Sequence, residues 1–197
     1  MLYCFVKTAA FVLCKILFRL SIRGSENLPK KEGFILASNH NSFLDPILLA
    51  ASSRRRVSFM AKEELFSNFF FGRFISSLGA FPINRDAPGP GAIRAAIKRL
   101  KRHSGLVLFP QGTRQRSEDL SPLPGVGFLA QNAGVSVVPA YIHGSDKAWP
   151  AQAKFIRLHK ISVSFGKPLT IEGHTSYKEF SHRVMNAVER LEQEYKA

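Results

Sequence analysis

Apolar residues along the chain fall into two kinds of segment, which are separated by short polar stretches. Runs such as GFILAS and GLVLFP are uninterrupted by charge, as is typical of strands that are buried on both faces of a sheet. Longer segments carry apolar residues three or four positions apart, which is the period of an amphipathic helix. The alternation of these two patterns predicts an α/β fold, with a mainly parallel β-sheet flanked by helices.

The predicted strands lie in GFILAS, VSFMA, GAFPI, GLVLFP, VSVVPAYI and ISVSFGKPL. One predicted helix begins at Asp45, with that residue as N-cap and Pro46 in the first turn. Others are expected in KEELFSNFFFGRFISSL, in PGAIRAAIKRLKR, and from the capping box of Ser176 and Glu179 to about Tyr195. No linker is long enough to divide residues 23–197, which are therefore expected to form one domain.

The first 22 residues are apolar but contain three basic residues, Lys7, Lys15 and Arg19. A helix that spans a membrane needs about 20 mostly apolar residues, and the longest uncharged run here is far shorter. On a helical wheel the basic residues and Thr8 cover about a third of the circumference, while the rest is apolar. We therefore expect residues 1–22 to form an amphipathic helix at a membrane interface. The alternative is a helix that packs on its own domain with its basic residues in water.

The chain is strongly basic, with 28 Lys and Arg against 14 Asp and Glu and a net charge of +14. Such a charge favours a phosphate-rich partner, either nucleic acid or an anionic membrane. The densest basic cluster has no nucleic-acid-binding signature beside it, so we interpret it as a solvated or lipid-facing helix surface. Its members are Arg94, Lys98, Arg99, Lys101 and Arg102. The expected partner is therefore the anionic membrane surface and not nucleic acid.

Neither the cysteines nor the glycine motifs indicate a cofactor. Cys4 and Cys14 would lie about 15 Å apart on a helix, which is too far for a disulfide, so reduced thiols are expected. The chain has no CxxC or HExxH spacing, and no metal is expected. The segment GVGFLA fits a dinucleotide-binding pattern but follows SPLP instead of a strand, so we interpret it as the start of a helix.

Three polar stretches follow predicted strands: NHNSFLD at residues 39–45, PINRD at 82–86 and FPQGTRQR at 109–116. The carboxyl ends of parallel strands meet at one edge of a sheet, so these stretches are expected to form one site. In the first stretch, His40 is a candidate general base, and Asp45 is placed to hold its ring and stabilise the imidazolium. The alternative is that Asp45 only caps a helix and that His40 is an ordinary loop residue.

The other two stretches carry groups that suit a phosphate. Arg85 and Arg114 are candidate phosphate ligands, although each could equally be a surface charge. Gly112 would let the backbone approach an anion closely, and Thr113 offers a hydroxyl donor. The chain has no GxSxG nucleophile elbow, so the nucleophile is expected to belong to the substrate. His40 would then deprotonate an acceptor hydroxyl, which attacks an activated acyl carbonyl directly.

The motif NHNSFLD matches the NHxxxxD motif of the glycerolipid acyltransferases, and the chain resembles the bacterial-type 1-acyl-sn-glycerol-3-phosphate acyltransferases. The resemblance continues through FMAKEELF, GAFPINRD and FPQGTRQR to VVPAYIHG, in the order of that family. It implies that His40 and Asp45 are the catalytic pair. It also implies that the acceptor phosphate is bound by Arg85 and the QGTR stretch, which comprises Gln111, Gly112, Thr113 and Arg114.

The resemblance further implies an acyl-CoA or acyl-carrier-protein donor, a lysophosphatidic acid acceptor, and no metal or prosthetic group. The implied location is the cytoplasmic face of the inner membrane. Two residues depart from the family pattern: Gln111 stands where a glutamate is usual, and Leu123 stands where a lysine is frequent. These departures leave open another lysolipid acceptor. A non-catalytic basic membrane-binding module is the remaining alternative.

A phenylalanine-rich stretch adds a last candidate surface. As a single helix it would place four aromatic side chains on one face, Phe66, Phe69, Phe70 and Phe74. Such a face suits acyl chains or a bilayer, but aromatic stripes at helical spacing more often pack in a core.

Overall fold

The computed structural model describes residues 1–84, 89–112, 122–150, 153 and 155–196. In these parts of the chain, seven strands form one sheet in the order β1-β7-β6-β2-β5-β3-β4. The strands are β1 (Ser21–Arg23), β2 (Phe34–Ser38), β3 (Val57–Lys62), β4 (Ala80–Ile83), β5 (Gly105–Leu108), β6 (Ser136–His143) and β7 (Ser162–Phe165). All neighbouring pairs are parallel except β6 with β7. The predicted α/β fold with a mainly parallel sheet is therefore confirmed.

Helices cover both faces of the sheet. They are α1 (Leu2–Phe18), α2 (Asp45–Ser52), α3 (Phe69–Ser77), α4 (Pro90–Lys101), α5 (Gly125–Ala133), α6 (Ser145–Ala148) and α7 (Tyr177–Lys196). Alternate residues of β2 point to opposite faces, so Phe34 and Leu36 pack with α1 and α2 while Ile35 and Ala37 pack with α4, α5 and α7. Every residue of β2 is buried, which accounts for its uninterrupted apolar run.

The N-terminal helix is shorter than predicted. It ends at Phe18 instead of residue 22, and Arg19 terminates it in the left-handed conformation with φ 47°. Ser21–Arg23 then forms the edge strand β1, which pairs with Ser162–Ser164 of β7. The apolar residues of the first 22 positions therefore belong to a helix and then to the start of a strand. A helical wheel assumes one helix throughout and could not show this change.

Helix α1 packs on the domain through a face that includes one of its lysines. Cys14 and Phe18 are buried in the core, and Nζ of Lys7 donates to the carbonyl of Arg55 at 3.2 Å. Partial burial lowers the pKa of Lys7 below its ordinary value. Helix α1 therefore packs on its own domain with Lys15 and Arg19 exposed, as the alternative expected, but Lys7 lies in the packed face. The apolar side chains exposed along α1 are Leu2, Phe5, Val12, Leu13, Ile16 and Leu17.

The phenylalanine-rich stretch is two elements instead of one helix. A 3-10 turn occupies Glu63–Phe66, and α3 begins after Asn68, whose side chain accepts from the amide of Phe71 at 3.0 Å. Phe66 therefore does not share the helical face of the other phenylalanines. Core packing is also wrong as an expectation, because Phe70 is 81% exposed and the other three phenylalanines of α3 are exposed as well.

The helices of the described residues fall short, in length or in apolar character, of what crossing a membrane requires.

One guanidinium ties together three segments at the amino-terminal side of the sheet. Arg55 donates to the carbonyls of Pro29, Lys31, Glu32 and His103, and its side chain lies over the ring of Phe34. The planar fork of arginine serves several acceptors at once, which a lysine ammonium cannot reproduce.

We expect Arg55→Met to lower the free energy of unfolding by about 1.5–3 kcal/mol, because the carbonyls lose a charged donor. Arg55→Lys should recover only part of that loss. Urea unfolding followed by circular dichroism measures both, with Arg54→Met at the exposed neighbouring position as the matched control. Equal stability of the Arg54 and Arg55 variants would contradict this role.

Candidate functional site

The loop after β2 folds around one carboxylate oxygen. Oδ2 of Asp45 accepts from the backbone amides of Asn41 at 2.7 Å and Ser42 at 2.8 Å, and it lies 2.8 Å from Nδ1 of His40. Asp45 is fully buried and His40 is 3% exposed. The other oxygen of Asp45, Oδ1, makes no hydrogen bond with any described residue. The same oxygen therefore holds both the loop backbone and the ring of His40.

Asp45 is not the N-cap that the sequence predicted. Leu44 occupies the cap position, and Asp45 is the first residue of α2, followed by Pro46. Its carboxylate points back into the loop because the amides of Asn41 and Ser42 need an acceptor there. A negative charge in the first turn is also favoured by the helix dipole.

This hydrogen-bond pattern fixes the tautomer of His40. A carboxylate accepts hydrogen bonds and cannot donate them, so Nδ1 of His40 carries the proton that faces Asp45. In the neutral ring the basic lone pair is then on Nε2. Protonation of Nε2 creates an imidazolium beside a carboxylate, which stabilises the charge. The pair therefore has the chemistry of an oriented general base.

Strand β6 and the segment after it hold the other side of the loop. The amide side chain of Asn39 donates to the carbonyl of Ile142 at 2.9 Å and accepts from its N–H at 2.8 Å. It thus continues the β2–β6 ladder one step beyond the last backbone pair, Ser38 with Ala140. Oγ of Ser42 donates to the carbonyl of Trp149 and accepts from the amide of Leu44. The loop is therefore anchored directly before His40 and again in the middle of the His40–Asp45 segment.

Strand β5 supplies the opposite wall. Phe109 follows β5 directly, and its ring stacks on His40 with centroids 3.8 Å apart and planes 13° apart. Because β5 neighbours β2 in the sheet, the first and third polar stretches meet at the same edge, as the sequence predicted. The stacking restricts tilting of the imidazole away from the plane of the Phe109 ring.

A cavity of about 460 Å³ opens beside His40 on the side of the sheet covered by α4, α5 and α7. It falls within the usual range of small-molecule pockets, about 300–1,000 Å³. Its wall is apolar except at His40 and Tyr177, and it includes Met60, Ile83, Ile93 and Phe128. A site of this kind suits a hydrocarbon chain whose reacting end lies at the imidazole.

The other predicted site residues are only partly described. Gly112 lines the cavity and has φ 69°, so its left-handed backbone favours glycine, and Gln111 is half-buried beside it. Leu123 also lines the cavity, and its side chain approaches Gly112 so closely that a Cβ there would be 2.9 Å from Cδ1. Arg85, Thr113 and Arg114 lie outside the described residues, and their contribution stays a prediction.

Several residues that shape the site were not identified as such from the sequence. Asn39 and Ser42 lie within the quoted motif, but their pairing with β6 and Trp149 depends on strand order, which the motif does not encode. The stacking partner Phe109 depends on the adjacency of β2 and β5. For Asn39, the sequence offered one indication of a role in the site, namely that a polar residue directly follows a buried strand.

Among the described residues, no group of three or more His, Cys, Asp or Glu side chains is arranged to hold a metal ion. Cys4 and Cys14 are free thiols.

Comparison with known proteins indicates one family. The family model described as "Acyltransferase" matches residues 19–143. The 1-acyl-sn-glycerol-3-phosphate acyltransferase of Bacillus subtilis (strain 168) is 34% identical over 85% of this chain and 82% of its own length. The protein of the same name from Streptococcus pneumoniae is 32% identical over 87% of this chain and 66% of its own length.

A solved structure gives the same result. The crystal structure of the 1-acyl-sn-glycerophosphate (LPA) acyltransferase PlsC from Thermotoga maritima superposes with a TM-score of 0.82 at 29% identity. The match covers 99% of this chain and 81% of that one. The resemblance inferred from the sequence motifs is therefore confirmed.

We expect Asn39→Ala to lower the free energy of unfolding by about 1–3 kcal/mol, because the N–H and C=O of Ile142 would lose their partner while buried. Denaturant unfolding measures the loss. The matched control is Asn41→Ala, since Asn41 bonds to Asp45 through its backbone amide, which the substitution keeps. The same loss in both variants would contradict a specific role for the Asn39 side chain.

Proposed function

The chain belongs to the acyltransferase family, and on that premise we propose that it acylates the free hydroxyl of 1-acyl-sn-glycerol 3-phosphate to give phosphatidic acid, a step of phospholipid biosynthesis. The observation that carries the proposal is the buried pair of His40 and Asp45 at the mouth of an apolar cavity. The names of the relatives from Bacillus subtilis and Streptococcus pneumoniae support this choice of acceptor.

The proposed reaction is a direct transfer within a ternary complex. Nε2 of His40 takes the proton from the acceptor hydroxyl as the oxygen attacks the carbonyl carbon of the acyl thioester. The tetrahedral intermediate then collapses, the carbon–sulfur bond breaks, and His40 returns the proton to the departing thiolate. Asp45 holds the ring and stabilises its charged form. A thioester is already activated, so the proposed transfer uses no metal or prosthetic group.

The donor in this proposal is acyl-CoA or an acyl-carrier protein. The cavity beside His40 would take an acyl chain, and each buried methylene contributes about 0.8 kcal/mol to binding. Most of the recognition of the donor would then come from its hydrocarbon part, which both carriers share.

The acceptor phosphate is proposed to lie near Gly112, whose positive φ favours glycine and whose lack of a side chain lets an anion approach the backbone closely. Gln111 is beside it, and the predicted contacts from Arg85, Thr113 and Arg114 complete the proposed site. The side-chain amide of Gln111 donates hydrogen bonds but carries no charge.

We propose that the enzyme works at a membrane surface, on the cytoplasmic face of the inner membrane. The exposed apolar face of α1 and the exposed phenylalanines of α3 are the supporting observations. Arg56 lies next to both helices, since it stacks on Tyr3 and donates to the carbonyl of Ser77. The net charge of +14 would strengthen attachment to anionic lipid.

A second candidate is acylation of a lysolipid with a different head group. The observation that favours it is Leu123, which covers Gly112 with an apolar side chain where many relatives of this kind are expected to place a lysine. An uncharged rim at this point would weaken selection for a phosphate monoester.

We expect His40→Ala to lower kcat by about 10²–10⁴-fold, since it removes the general base. Asp45→Asn should also lower kcat. The neutral side-chain amide can still accept from the N–H groups of Asn41 and Ser42, but it cannot stabilise the imidazolium as a carboxylate does. Transfer of labelled acyl groups from acyl-CoA and from acyl-carrier protein to lysophosphatidic acid measures the rates, with exposed His174→Ala as the control. Full activity of His40→Ala would eliminate the proposed mechanism, and no transfer by the unmodified protein would favour the non-catalytic alternative.

Leu123→Lys is expected to lower the KM for lysophosphatidic acid about two- to fivefold, as a partly exposed ion pair contributes up to about 1 kcal/mol. The KM for lysophosphatidylcholine should not fall, because its head group already carries a cation. Leu65→Lys, at another exposed leucine, controls for the added charge. Tighter use of both acceptors would show a general membrane effect instead of phosphate recognition.

A further inference from the structure

An apolar surface lies at the edge of the sheet beside the catalytic loop, on residues that the proposed function does not use. We call it the apolar rim, and it consists of Phe43, Ile47, Trp149, Phe155, Ile156 and Leu158. Phe155 is 80% exposed and Leu158 is 76% exposed, while Phe43, Ile47 and Ile156 are exposed as well. Large apolar side chains concentrated in this way usually mark an interaction surface.

Hydrogen bonds and ring packing join the parts of the rim. The ring of Phe43 lies 5.6 Å from that of Trp149. Nε1 of Trp149 donates to the carbonyl of Ala153 at 3.1 Å, and the amide of Arg157 donates to the carbonyl of Ala148 at 2.8 Å. The segment that carries Phe155 and Leu158 is thereby held against the end of α6, next to the catalytic loop.

The rim is built on the same loop that orients the dyad. Phe43 lies between His40 and Asp45 in the chain, and its neighbour Ser42 uses its amide for Asp45 and its hydroxyl for the carbonyl of Trp149. Ser42 therefore connects the rim to the carboxylate that holds His40.

The charge around the rim identifies its occupant. Arg157 and Lys160 are exposed within or next to the rim, and no acidic residue occurs from Phe155 to Ile171. Beside Trp149, the exposed Asp146 is accompanied by the exposed Lys147. A second copy of this chain would bring the same positive charges and a net +14, so association through the rim would be opposed by repulsion. An anionic bilayer offers an apolar interior beneath a negative surface and matches both features.

The rim is also continuous with the N-terminal helix. The amide of Ile161 donates to the carbonyl of Phe18 at 2.9 Å, and the amide of Ser21 donates to the carbonyl of Ile161 at 3.0 Å. The segment that ends the rim is thus fixed to the end of α1, whose outer face is the membrane surface of the proposed function. Backbone hydrogen bonds therefore join the segment of the rim to the helix that carries the first surface.

We propose that the apolar rim is a second membrane-insertion surface, which enters an anionic bilayer beside the dyad and presents His40 to an acceptor hydroxyl at the lipid surface. This inference rests on the proposed function for its purpose, but the insertion itself is measurable without catalysis. The rim, and not α1 alone, then sets the distance between the imidazole and the lipid head groups.

Trp149 is the only tryptophan of the chain and lies in the rim, so its fluorescence reports insertion directly. The probe is vesicles of phosphatidylglycerol and phosphatidylcholine, in which part of the phosphatidylcholine carries brominated acyl chains. We expect a blue-shifted emission on binding and at least a twofold loss of intensity with brominated lipid. Unchanged emission from protein that sediments fully with the vesicles would overturn the proposal.

Two double variants separate the rim from α1. Phe155→Ser with Leu158→Ser should keep most vesicle binding but lose most of the bromine quenching. The matched pair Phe5→Ser with Val12→Ser on α1 should bind fewer vesicles, yet its bound fraction should be quenched as strongly as the unmodified protein. All four side chains are exposed, and thermal unfolding checks that both variants stay folded. Undiminished quenching in the rim variant would overturn the proposal.

A second copy of the chain is the competing occupant. Analytical ultracentrifugation tests this occupant. If the unmodified protein dimerises with rising concentration and shows no bromine quenching, and the rim variant no longer dimerises, the occupant is a second copy and the bilayer proposal is overturned.

The proposed function is tested separately, by acyl transfer to lysophosphatidic acid in detergent micelles. The rim variant should keep that transfer within about twofold while transfer in vesicles falls about tenfold, and equal rates in both media would contradict the inference.

Discussion

The structure of the site depends on Oδ2 of Asp45, which three donors share. A buried carboxylate costs several kcal/mol unless it is hydrogen-bonded, and here two of its donors are amides of the loop that separates it from His40. The carboxylate satisfies the two amides of the turn, and these amides offset the cost of burying the carboxylate. The spacing of four residues between His40 and Asp45 is what allows one oxygen to serve the loop and the imidazole together.

The central position of β2 explains why this loop is so well supported. Strands β6 and β5 flank it, so Asn39 extends the ladder to β6 on one side while Phe109 stacks on His40 from the other. An edge strand would provide only one of these walls. The loop after β2 is therefore held by covalent continuity, by a side-chain ladder and by ring stacking, which together limit the orientations of the imidazole.

Much of the fold followed from the sequence because strand and helix periods are local properties. The six predicted strands and the main helices were found, and the polar residues after β2 were correctly placed at the edge of the sheet. The errors occurred where exposure or pairing decided the outcome. The strand Ser21–Arg23 depends on β7 far along the chain, Asp45 turned towards loop amides instead of capping α2, and the phenylalanines of α3 face outwards. None of these is encoded in a periodic pattern.

The two faces of the sheet carry different parts of the proposed enzyme. The cavity lies under α4, α5 and α7, whereas the exposed apolar side chains of α1 and of the loop after β2 lie on the face covered by α1 and α2. His40 is at the edge where the two faces meet. On the proposed function, a donor chain that enters the cavity would reach the imidazole from the face covered by α4, α5 and α7. A lipid acceptor would come from the bilayer and place its phosphate near Gly112, which is exposed where it lines the cavity. The rigid anchoring of the loop keeps the base in place for both.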